Sequence, residues 1–286
     1  MFSAFEDDNQ AFTKNSFSIK TKCPLLSVYC STETLLHSHS PNTMKKRLTA
    51  ENLEITLLYF LMFAGGLWHI LNVLQDAMRL LAAPTVVLLA LWIGFRYDQA
   101  LRNRQNRPDG ISLQDGLSPT ARFHWWDVIV AVSCFTLEFI GVKTGLIFGD
   151  YSYTDVWIPA FRGVPIAISF AWLGMLLTSF GLVQRFTALT RPVWLRALLL
   201  AVLMTIFDIF MEPVAVKLNY WQWVERTGSS FFVAPLQNYA AWFAISYALG
   251  YAALRNGLFS LPMPRVAFHG YWAQLLYFAM VALGKA

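Results

Sequence analysis

Charge is scarce in this chain: Asp, Glu, Lys and Arg make up 14% of its 286 residues, where a soluble domain carries roughly a quarter. Cysteine is nearly absent as well. Cys23, Cys30 and Cys134 are the whole complement, no CxxC occurs, and neither a zinc site nor a dithiol redox pair is supported. The histidines His37, His39, His69, His124 and His269 never cluster, which argues against a membrane di-iron oxygenase. There is no GxxxxGK[ST] phosphate loop and no HExxH. Asp208-x-x-x-Glu212 is not the doubled aspartate-rich motif with which intramembrane prenyltransferases hold magnesium diphosphate. These absences leave a reaction without metal or cofactor: acid chemistry on an apolar substrate.

Apolar residues are abundant, 56% of the chain, and they come in blocks at roughly 54–74, 77–95, 125–147, 164–183, 194–216, 235–254 and 266–283. Each is about the ~20 residues that cross a hydrocarbon core as a helix. The fold class is therefore all-α, a polytopic transmembrane helix bundle of about seven spans. Residues 1–50, rich in Ser, Thr, Asn and Lys and without periodicity, read as a disordered N-terminal tail, with Met44 as an alternative start. Residues 51–286 form the transmembrane domain.

The net charge of +5 does not indicate a nucleic-acid partner, because the basic residues sit in short loops between apolar blocks. On one side fall Lys45, Lys46, Arg47, Arg96, Arg102, Arg104, Arg107, Arg122, Arg185, Arg191, Arg196, Arg255 and Arg265; on the other, Arg79, Arg162, Lys217, Arg226 and Lys285. The basic side faces the cytoplasm. The expectation is a multi-pass protein of the inner (cytoplasmic) membrane, N-terminus cytoplasmic. Gly141, Gly145 and Gly149, four apart, are expected to let two helices approach closely.

Ionisable residues inside apolar spans are costly and usually functional. Here they are His69, Glu138, Asp208 and Glu212, with Lys143 nearer a span end, where it can snorkel. Asp208 and Glu212 are one helical turn apart and share a face. Two carboxylates so close in low dielectric do not both ionise readily, so one is expected to hold a proton, as a general acid must. Pro213 is expected to kink or end the helix beside them. The alternating topology puts Glu138, Asp208, Glu212 and His69 at one depth, beneath the polar-aromatic loops 148–163 and 217–235. The plainer alternatives are that single carboxylates bond a neighbouring helix, and that Trp and Tyr residues flanking the spans form interfacial belts.

The run Glu138-Phe-Ile-Gly-Val-Lys-Thr-Gly-Leu-Ile-Phe-Gly-Asp-Tyr-Ser-Tyr153-Thr resembles a stretch of the carotenoid biosynthesis membrane proteins. That family includes carotenoid 1'-hydratases (γ-carotene 1'-hydroxylases) and bisanhydrobacterioruberin hydratases. Three further runs agree in order: Gly163-Val-Pro165 leading to Ala171-Trp172; Asp208 through Glu212-Pro213; and Trp221-Gln-Trp223 followed by Pro235-Leu-Gln-Asn238-Tyr-Ala-Ala-Trp242. The likeness covers about 124–255 and is expected to extend to the first two spans, but does not reach residues 1–50. It departs before Pro213, where the family often has Asp and this chain has Glu212.

The resemblance implies a carotenoid 1',2'-hydratase, a cofactor-independent hydro-lyase acting on a terminal isoprenoid double bond. Its partners are a carotenoid, water and the lipid bilayer, with other carotenoid-pathway enzymes admitted. Asp208 or Glu212 is the expected proton donor, and Glu138 positions or activates water. Tyr151, Tyr153, Trp172, Trp221 and Trp223 offer aromatic faces to a cation. Asn238 and Tyr153 orient the acids, and His69 is a candidate substrate contact. The competing expectations are an end-group cyclase, which starts with the same protonation, and a non-catalytic carotenoid-binding or transport protein.

Overall fold

The computed structural model describes residues 41–106, 117–224, 229 and 231–284, with side chains from Ala50 onward. Residues 50–286 make one compact unit. The expectation for residues 1–40 lies outside the described residues, as do Arg107, Arg226 and Lys285 of the charge count.

Seven helices occur among the described residues: α1 Pro41–Ile70, α2 Gln75–Gln105, α3 Pro119–Thr144, α4 Ala167–Phe186, α5 Val193–Lys217, α6 Leu236–Arg255 and α7 Arg265–Leu283. All but α6 are long and apolar enough to cross a membrane, so the protein is a multi-pass helical membrane protein. Helix α6 falls short because it carries Gln237, Asn238 and Ser246 in its first three turns. Asn238 is spent on a carboxylate of α5, the helix against which α6 packs. Helix α1 opens ahead of the expected boundary at 51, and α2 runs ten residues past its expected end.

Helix α4 is the centre of the bundle. Ala167–Ser169 and Ala171–Val183 are all buried, and α2, α3, α5 and α7 pack around it. Helix α1 is pinned at both ends. Glu54 Oε2 meets Arg96 Nε at 3.2 Å, and Asn52 Oδ1 accepts from Arg265 Nη1 at 2.9 Å; at the other end His69 Nε2 lies 3.1 Å from Tyr277 Oη. Between these pins α1 stands off α4, and an apolar cleft of about 230 Å³ opens between α1, α2, α4, α5 and α7.

The glycine triplet does something other than join helices. Gly145 ends α3 in the left-handed region (φ 66°), its N–H bonding Gly141 O at 2.8 Å. That reversal turns Phe148 back over Gly141, where a Cβ would stand 2.7 Å from the ring. The spacing positions the loop that follows, not a helix–helix seam. Pro213 does not end α5, which continues to Lys217.

Four short strands are added to the helices. β1 (Tyr151–Tyr153) pairs antiparallel with β4 (Trp221–Trp223), in the register Tyr151↔Trp223, Ser152↔Gln222 and Tyr153↔Trp221. β2 (Ala160–Phe161) and β3 (Val164–Pro165) form a small hairpin. The runs Tyr-Ser-Tyr and Trp-Gln-Trp alternate aromatic with polar. With the two-residue period of a strand, all four aromatics share one face and the exposed Ser152 and Gln222 the other.

Candidate active site

The aromatic face of the β1–β4 ribbon looks onto two buried glutamates. Glu138, on α3, is 4% exposed. Its Oε2 accepts from Tyr151 Oη (2.5 Å) and Tyr153 Oη (2.8 Å), and its Oε1 accepts from Trp172 Nε1 of α4 (2.9 Å). Burial first, then the neighbouring Glu138 carboxyl, pushes both phenols above their ordinary range, so they remain O–H donors. A carboxylate has about four acceptor sites, and three are filled here.

Glu212, on α5, is 3% exposed. Its Oε2 accepts two indole N–H groups, Trp221 Nε1 at 3.1 Å and Trp223 Nε1 at 2.8 Å. Its Oε1 has no hydrogen-bond partner among the described residues. One turn deeper, Asp208 is fully buried. Asn238 Nδ2 of α6 donates to its Oδ2 at 2.7 Å, while Oδ1 has no partner.

Each strand of the ribbon thus serves one glutamate: β1 holds Glu138 and β4 holds Glu212. Pairing the strands brings the glutamates to a common cavity. It measures about 20 Å³ and is lined by Glu138, Tyr151, Tyr153, Glu212, Trp221, Trp223 and Asn238, with Phe148, Ile168, Met211 and Trp242. A water needs about 10–15 Å³ and two to four polar partners, so this space suits a single water. Asp208 does not line it. Met211 and Trp221 belong both to this cavity and to the apolar cleft; they are the wall between them.

Nine of the ten residues singled out from sequence are therefore gathered in one place: Glu138, Asp208, Glu212, Tyr151, Tyr153, Trp172, Trp221, Trp223 and Asn238. His69 is elsewhere. It bonds Gln75 Oε1 (3.0 Å) and Tyr277 Oη (3.1 Å) and lines a separate pocket with Arg79 and Lys217. Lys143 is exposed near the end of α3. Sequence reasoning missed Trp242, which lines the cavity and stacks on Trp172 with centroids 3.8 Å apart. Its place one turn after Asn238 put it on the same face of α6. Met211 carried no such signal. Among the described residues no three His, Cys, Asp or Glu side chains converge as metal ligands.

Helices of spanning length with carboxylates sealed under an aromatic ribbon define a membrane protein with a buried acid site, opening beside an apolar cleft. Residues 117–282 match the family described as "Carotenoid biosynthesis protein", and the chain belongs to that family. Its role lies in the carotenoid pathway. The match contains α3 through α7 and every residue of the acid site, and excludes α1 and α2. No curated protein and no solved structure matches the chain.

Proposed function

We propose that this protein is a carotenoid 1',2'-hydratase, adding water to a terminal isoprenoid double bond. The observation that carries the reading is the one-water cavity between Glu138 and Glu212, abutting an apolar cleft across Met211 and Trp221. A polyene enters laterally from the bilayer and lies in the cleft, its end group at that wall. Met211 and Trp221 shift aside to admit it.

Glu212 is the proton donor. Its Oε2 is fixed by two indoles, and Oε1 is free to carry a proton toward the cavity. The proton goes to C2' of the alkene, leaving a tertiary cation at C1'. Trp221 presents a π face to that cation, an attraction of roughly 0.5–2 kcal/mol. Glu138 keeps one open acceptor site and takes a proton from the water as its oxygen bonds to C1'. The product is a tertiary alcohol. The proton on Glu138 returns to Glu212 through the next water, so the cycle consumes only alkene and water. Asp208, one turn behind on the same face of α5 and held by Asn238, is a positioning residue that backs Glu212.

A cyclase would make the same cation but capture it with a ring double bond, and a site for one water favours hydration. A pigment carrier would have no use for three buried carboxylates. On the basic-residue asymmetry, the acid site lies in the half of the bilayer away from the cytoplasm. Expression in a host that accumulates lycopene or γ-carotene tests the assignment. Pigments gaining the mass of one water support it. A new ring without mass change makes the protein a cyclase, and a bound but unaltered polyene makes it a carrier.

A further inference from the structure

The second pocket at the ribbon end of the bundle has no part in the chemistry above. It measures about 140 Å³ and is lined by His69, Asn72, Gln75, Arg79, Lys217 and Tyr220, with Met78, Leu218 and Val281. No acidic side chain lines it among the described residues. Arg79 is exposed and makes no hydrogen bond or ion pair among the described residues. Lys217 Nζ donates to Ala282 O (3.1 Å) and Gly284 O (2.5 Å) at the end of α7, which leaves one of its three N–H donors for a ligand.

The surroundings say what kind of ligand. Leu71, Val73, Leu74, Leu80 and Leu81, on and around the α1–α2 turn, are exposed large hydrophobics. Exposed leucines beside a free arginine are what a membrane–water interface produces: chains cover the apolar surface and headgroups meet the cation. His69 is committed by both nitrogens, so the charge of the pocket comes from Arg79 and Lys217. Two cations and no lining anion among the described residues select a phosphate, and the leucine rim selects one carried on lipid chains. Met78 and Tyr220 line this pocket and the apolar cleft together, so a headgroup seated here stands at the mouth of the cleft.

We propose that this pocket binds the phosphate of an anionic phospholipid, whose chains lie along the leucines of the α1–α2 turn. The site is independent of the hydratase reading, since it shares no residue with the acid cavity.

The test uses the full chain in nanodiscs of mixed phosphatidylglycerol and phosphatidylcholine, read by native mass spectrometry after release. Wild type retains phosphatidylglycerol over phosphatidylcholine. Arg79→Gln lowers that preference about five-fold, the usual effect of one cation near an anionic lipid surface, with raised salt acting in the same direction. Arg79 makes no hydrogen bond or ion pair among the described residues, so this variant is expected to fold; Lys217→Gln is secondary because it also uncaps α7. Equal retention of the two lipids, or an unchanged preference in Arg79→Gln, overturns the proposal. A parallel arm adds inorganic phosphate to lipid-depleted protein in detergent. Thermal stabilisation there that vanishes in Arg79→Gln, without any lipid preference in nanodiscs, assigns the pocket to a soluble phosphate and overturns the lipid.

Discussion

Glu212 takes two indole N–H groups on one oxygen, has no hydrogen-bond partner for the other among the described residues, and lines the cavity. Glutamine at 212 can still accept from both indoles through its amide oxygen, but it has no acid proton to give. Glu212→Gln is therefore expected to purify as a folded protein and to lose ~10²–10⁴-fold in hydration rate, the usual worth of a general acid. Product formed per enzyme, beside a melting curve, measures both halves. Asp208→Asn is its companion. The new side-chain amide would still offer an oxygen to Asn238, so packing is kept, and the second carboxyl of the pair is gone. Its signature is a hydration rate below wild type in a protein that melts as wild type does. An Asp208→Asn enzyme with the wild-type rate would remove Asp208 from the mechanism. At this scale the sequence was informative because a carboxylate in an apolar block is conspicuous. Met211 was not, since a methionine in a membrane helix has many ordinary reasons to be there, and Trp242 was signalled only by its place one turn after Asn238.

The β1–β4 ribbon is where local pattern becomes function. The bonds Thr154 N–H to Tyr220 O (3.0 Å) and Val224 N–H to Asp150 O (2.9 Å) bracket the ladder. By antiparallel alternation Ser152 and Gln222 form the hydrogen-bonded pair between them, with Tyr151/Trp223 and Tyr153/Trp221 in the closer, non-bonded positions. Ser152 is exposed and touches no carboxylate. Ser152→Pro nonetheless removes a ladder N–H, worth about 1 kcal/mol as a bond, and loosens both glutamates at once. Hydration is expected to fall at least ~10-fold, whereas Ser152→Ala, which keeps the N–H, leaves it unchanged. A Ser152→Pro enzyme with wild-type activity would mean the ribbon is dispensable. The aromatic–polar alternation of both runs was plain in the sequence. Three residues are too few to announce a strand, however, and the pairing joins segments about 70 positions apart, which no local period can reveal. The glycine triplet misled for a related reason: spacing suggested a helix face, while the positive φ of Gly145 and Gly149 belongs to a chain reversal.

Across the whole molecule the acid site is built within α3–α6 and the ribbon, whereas the cleft beside it is walled in part by α1 and α2. The family match begins at 117 and so contains every residue of the acid site, while α1 and α2, outside it, supply one wall of the cleft. Seven helices were legible from apolar blocks, and six of them, all but α6, are long and apolar enough to cross a bilayer, where each must satisfy its backbone internally. The cleft was not, because it arises where α1 stands away from α4, and that is a matter of packing between distant segments. This division predicts that substrate length and chemistry can be altered separately. Ala82, on α2, lines the cleft and is absent from the acid cavity. A phenylalanine there takes up space a polyene needs and leaves Glu138, Glu212 and the ribbon untouched. Ala82→Phe is expected to lower turnover of a full-length carotenoid ~10-fold, chiefly through KM. A short acyclic terpene with the same terminal double bond should be hydrated at the wild-type rate, and Ala82→Leu should fall between. Since the short substrate needs only the end of the cleft beside Met211 and Trp221, the ratio of the two rates isolates the cleft from the acid site. Were both substrates to slow together, the polyene would have to reach the carboxylates by another route.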